Sequence, residues 1–107
     1  MEFTELKNEV KNIPFDDLRL DCDNNFEAVI VKEELKKLTR RLEKFFGSPV
    51  FPSKERLSFQ VHQLIDGFGG VLPGQTVYFR NQGKESIFSM LWPWKDGERT
   101  TLKIIKI

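Results

Sequence analysis

Apolar residues spaced three and four apart open the chain. Phe3, Leu6, Val10 and Ile13 line one face of a predicted short helix over residues 4–12. Thr4 suits its N-cap, and Pro14 stops it, because the residue before a proline avoids helical geometry. A helix this short needs packing to persist. The period then changes to two. Leu18, Leu20 and Cys22 alternate with Asp17, Arg19 and Asp21, and Asp23-Asn24-Asn25 supply residues that tolerate a tight turn. The pattern predicts a β-hairpin with arms at 17–22 and 26–31. Ala28-Val29-Ile30-Val31 is expected to be more buried than the first arm, with Cys22 facing the core.

The clearest helix is predicted over residues 32–46. Leu35, Leu38, Leu42, Phe45 and Phe46 form its amphipathic stripe. Glu33 and Glu34 in the first turn and Lys44 near the end suit the helix dipole, and Gly47 is a natural C-terminal cap. After the stiff Ser48-Pro49-Val50-Phe51-Pro52 connection, a second helix is expected from Lys54 to about Asp66, with Ser53 as N-cap and Leu57, Val61, Leu64, Ile65 and Phe68 on one side. Gly67, Gly69 and Gly70 end it, and Pro73-Gly74 reads as a type II turn. Three strands follow, at 75–80, 86–92 and 99–107. They are joined by Asn81-Gln82-Gly83-Lys84 and Lys95-Asp96-Gly97-Glu98, good hairpin signals.

The predicted class is α+β: an antiparallel sheet built from the N-terminal hairpin and a C-terminal three-stranded meander. Two central helices are expected on one face, with a short N-terminal helix added. One domain is expected over residues 1–107, a length that suits a single core. The pattern leaves open whether the two strand groups form one sheet. It equally leaves open whether Leu102-Lys103-Ile104-Ile105-Lys106-Ile107 is central or an edge inviting strand addition or homodimerisation.

Composition narrows the classes. Ten phenylalanines against one tyrosine favour a Phe-packed core. Seventeen basic and 16 acidic residues give a net charge of +1, so there is no global basic field of the kind expected of many nucleic-acid or membrane binders. A single cysteine excludes an intramolecular disulfide and argues for a reducing compartment. Met1-Glu2-Phe3 does not begin a signal peptide, and no apolar run approaches a membrane span. The expected location is the cytoplasm, with no membrane partner.

Candidate chemistry is sparse. Cys22 and His62 are the only residues of their kinds, and the expected reading is a buried inert thiol and a surface or boundary imidazole. One histidine and one cysteine do not make a zinc site without carboxylates, and Asp16, Asp17, Asp21 and Asp23 lack the spacing of a calcium loop. No metal or cofactor is expected. The glycine-rich stretch at 67–74 follows a helix and opens a strand, the reverse of a phosphate-cradling loop, and it lacks the P-loop lysine and hydroxyl. It reads first as a helix end and turn. Gly67, Gly69, Gly70 and Gly74, with His62 nearby in sequence, remain the candidates for small-ligand contact, since glycine permits close approach to the backbone.

Charge is unevenly distributed. Residues 1–31 hold eight acids and three bases, net −5, whereas residues 32–56 hold eight bases and four acids, net +4. Lys36, Arg40 and Lys44 form one row on the first long helix, and Lys37 and Arg41 form the adjacent row. This basic flank is either a solubilising face, partly neutralised by the acidic hairpin and by Glu33, or a grip for phosphates or an acidic partner. Leu91-Trp92-Pro93-Trp94 is the other candidate. Both tryptophans point the same way in strand period, either sealing one end of the core or anchoring an interface.

The leading expectation is a small non-catalytic protein-interaction domain, monomeric or homodimeric. It would bind an unknown protein partner through Trp92 and Trp94, the glycine-rich loop or the basic flank. Nucleic-acid binding through Lys36, Lys37, Arg40, Arg41 and Lys44 is the second expectation. A small-ligand-binding domain or enzyme around the 67–74 loop and His62 is the third.

Overall fold

The computed structural model describes residues 3–51, 59–67 and 74–107. Helix α1 (Phe3–Lys11) leads into a hairpin of β1 (Asp17–Asp21) and β2 (Asn25–Val31). A single 3-10 turn, Lys32–Glu34, precedes α2 (Leu35–Phe46). Helix α3 (Phe59–Asp66) and the meander β3 (Thr76–Gln82), β4 (Glu85–Pro93) and β5 (Arg99–Lys106) complete the chain. The expected N-cap at Ser53 and the first turn of the second helix lie outside the described residues.

The two strand groups form one antiparallel five-stranded sheet, in the order β1-β2-β5-β4-β3. The C-terminal strand is central. Ile104 pairs with Phe26 on one side and Ser89 on the other, and Leu102 with Ala28 and Leu91. Alternation along the strands then sorts the core. Phe26, Ala28, Ile30, Tyr78, Ile87, Leu91, Leu102 and Ile104 share one face with Phe3, Leu6 and Val10 of α1 and Leu38, Leu42 and Phe45 of α2.

The α+β class and the antiparallel sheet are as expected, but the stacking of the helices differs from the expectation of both central helices on one face. Val61 and Ile65 of α3 pack with Val77, Phe88, Met90 and Ile105, on the opposite face of the sheet from α2. The connection explains this. Gly47, with φ of 80°, ends α2, and Val50 and Phe51 then run along the outer edge of β3. The Val50 N–H donates to the Val77 carbonyl at 2.8 Å, and the Val77 N–H donates to the Phe51 carbonyl at 2.8 Å. The chain thus rounds the sheet edge between the two helices. The unbroken buried run Ile87-Phe88-Ser89-Met90-Leu91 is the corresponding sequence pattern, since a strand covered on both faces loses its polar alternation.

Cys22 also departs from expectation: it is exposed, as is every residue of β1. The register slips between Leu18 and Leu20, so alternation does not continue through Arg19. Strand β1 is an edge strand, and its bulge and charged side chains are devices that discourage further strand pairing. Strand β2 is buried as predicted.

Candidate functional site

The basic face of α2 follows from its periodicity. Leu38, Leu42 and Phe45 are buried against the sheet, which turns Lys37, Arg40, Arg41 and Lys44, at i, i+3, i+4 and i+7, onto one outward-facing arc. Helix α1 packs beside α2 and inserts a single acid, Glu9, into that arc. These five side chains line an open groove of about 320 Å³.

Charge pairing in the groove is partial. Lys44 Nζ stands 3.5 Å from Glu9 Oε1, and Lys37 Nζ stands 3.2 Å from Glu34 Oε2 outside the groove. Both lysines are largely exposed, and exposed pairs of this kind stabilise by only about 0–1 kcal/mol. Arg40 and Arg41 form no ion pair with the described residues. Glu9 Oε2 is buried without a hydrogen-bond donor among the described residues. The arrangement is a local excess of positive charge around one carboxylate, fit for holding an anion.

The acidic hairpin does not cover this groove. Its Asp21 is engaged on α1: Lys7 Nζ donates to Asp21 Oδ1 at 2.8 Å and to the Cys22 carbonyl at 2.8 Å, and Lys11 pairs with the same carboxylate. Hydrogen bonds from Lys11 and Lys7 hold the Asp21 carboxyl below its usual range. Asp16 is paired with Arg99 at 3.1 Å.

The structure therefore brings Lys37, Arg40, Arg41 and Lys44 together and leaves Lys36 outside the groove, exposed. Glu9 was not among the sequence candidates. On α1 it is one of two acids, with Glu5, and only the packing of α1 on α2 gives it a place between cations.

Trp92 and Trp94 lie elsewhere, on the sheet face that carries α3. Trp94 Nε1–H donates to Thr101 Oγ1 at 2.8 Å, and Thr101 is the register partner of Trp92. Cations stand over both indoles. Arg19 and Arg99 are 5.5 and 5.7 Å from the Trp94 ring, and Lys103 Nζ is 4.5 Å from the Trp92 ring. Both tryptophans are half-buried, with ring faces already in use by the protein itself. His62 is exposed on α3, beside buried Val61. Gly67 and Gly74 are exposed, the latter with φ of 89°, as the expected turn requires, while Gly69, Gly70 and Pro73 lie outside the described residues. Among the described residues no group of three or more metal-ligating side chains occurs, and no helix is long and apolar enough to cross a membrane.

Compared with protein-family models, with curated proteins and with solved structures, the chain finds no match.

Proposed function

We propose that this protein is a small non-catalytic interaction domain that docks an acidic segment of a partner protein in the α1–α2 groove. One observation carries the reading: Lys37, Arg40, Arg41 and Lys44 line a single groove against one acid, Glu9, in a chain whose net charge is only +1. A charge excess focused in a concave place steers and orients an oppositely charged partner more than it adds raw affinity. The domain acts as a monomer or homodimer in the cytoplasm, a location supported by the lone cysteine.

Nucleic acid would use the same cations. A nucleic-acid site favours exposed aromatic rings among its charges, whereas the aromatic residues of α2 are the buried Phe45 and half-buried Phe46. The experiment is a titration of the full chain with a labelled oligoglutamate peptide, compared with a single-stranded oligonucleotide at the same ionic strength. Peptide binding that weakens with salt and disappears in Arg40→Glu/Arg41→Glu is expected. Preference for the oligonucleotide would move the groove to the second reading, and binding of neither by the folded protein would refute both.

A further inference from the structure

We infer that the α1–α2 groove is a site for a phosphate monoester carried on a peptide, with Glu9 as its resident counter-charge. This rests on the reading of the groove as a docking place for an acidic protein segment, and names the chemistry of that segment. Lys44 is paired with Glu9 and Lys37 with Glu34, so the four cations leave two units of positive charge to satisfy, those of Arg40 and Arg41. A single carboxylate neutralises one of these and offers two oxygens. A phosphate monoester brings nearly two negative charges and three terminal oxygens. The guanidinium forks of Arg40 and Arg41 match that set, since arginine binds phosphate through paired hydrogen bonds and lysine serves as a point charge.

Glu9 is suited to yield. Its contact with Lys44 is long, at 3.5 Å, and the lysine side chain is 68% exposed and free to turn toward another anion. Its second oxygen is buried without a donor among the described residues, so the carboxylate is held by its one ion pair, with Lys44, rather than by a hydrogen-bond network. An internal carboxylate placed in this way competes with weak monoanions and is outbid by a dianion. A nucleic-acid strand fits less well. Each diester carries one charge, and many must be matched along an extended basic track. Here the groove's basic lining comes from one helix, in a chain whose first 31 residues carry a net charge of −5.

The test uses fluorescence anisotropy with the full chain and a labelled glycine–serine peptide carrying one central phosphoserine. Counterparts carry glutamate or serine at that position, and a single-stranded RNA of similar length serves as competitor. The phosphoserine peptide is expected to bind about 10-fold tighter than the glutamate peptide. Arg40→Gln/Arg41→Gln should abolish that preference, while Lys36→Gln, outside the groove, should preserve it. Glu9→Gln should tighten phosphopeptide binding by about 2- to 5-fold. Equal binding of the phosphoserine and glutamate peptides, both lost in the double arginine variant, would overturn the phosphate inference and leave the acidic-segment reading standing. Unchanged or weaker phosphopeptide binding in Glu9→Gln would overturn the counter-charge role. Tighter binding of RNA than of phosphopeptide, or no peptide binding by protein with native circular dichroism, would overturn both.

Discussion

Arg80 of β3 ties the basic helix to the sheet: its Nη1 donates to the Phe45 carbonyl at 2.8 Å, and its guanidinium lies 4.9 Å over the Phe45 ring. The last carbonyls of a helix lack intrahelical donors, and the negative end of the helix dipole favours a cation there. Arg80 supplies both, and so fixes the orientation in which α2 presents Lys37, Arg40, Arg41 and Lys44. Arg80→Ala should lower stability by about 1–2 kcal/mol, read by urea denaturation. A loss within experimental scatter would show that Gly47, whose N–H donates to the Glu43 carbonyl, caps the helix sufficiently alone.

The two tryptophans should respond differently to removal of the indole N–H. Trp94 donates to Thr101, whereas Trp92 Nε1 is buried without a partner among the described residues. Trp94→Phe leaves the Thr101 hydroxyl unpaired and should cost about 0.5–1.5 kcal/mol beyond any packing loss. Trp92→Phe relieves an unsatisfied donor and should cost less. Thermal melts of the two variants side by side decide it, and an equal loss would contradict the assignment.

Ser89 sits fully buried in β4 between Tyr78 and Ile104 in the ladder, with its hydroxyl unpartnered among the described residues. Burying a hydroxyl without a partner costs about 1–3 kcal/mol on protein scales. Ser89→Ala should therefore raise the melting temperature. A fall would mean that the hydroxyl is satisfied in solution.

Burial, reinforced by the neighbouring Glu43 carboxylate, pushes the Tyr78 phenol up from 10.0 to about 12. The folded state then holds a proton that the unfolded state releases above about pH 10. Stability must fall as pH rises from about 10 to about 12, because the folded form binds more protons in that window. Tyr78 is the only tyrosine, so tyrosinate absorbance reads it alone. Ionisation near pH 10 with the fold intact would refute its burial.

The placement of α3 is tested by truncation. Ile65 is 2% exposed on the sheet face opposite α2, and Ile65→Ala should cost about 2–5 kcal/mol. His62→Ala, one turn away and exposed, should leave stability within about 0.5 kcal/mol. Comparable losses at both positions would place the helix differently.

Local pattern carried much of this protein. The three- and four-residue spacing of Phe3, Leu6 and Val10, and of Leu38, Leu42 and Phe45, determined two helices and their buried sides, because burying one apolar stripe is what stabilises a short helix. Gly83 and Gly97, both at positive φ, marked the turns of the meander. The same spacing turned the basic flank of α2 outward, since residues opposite a buried stripe must face water. Three matters were decided only by tertiary structure. Cys22 became exposed because a register slip at β1 breaks the alternation from which burial is read, and a slip depends on the partner strand. Helix α3 crossed to the other face because Val50 and Phe51 pair with the β3 edge, a contact between segments distant in sequence. Glu9 joined the groove because α1 and α2 pack side by side, which no periodicity within either helix encodes.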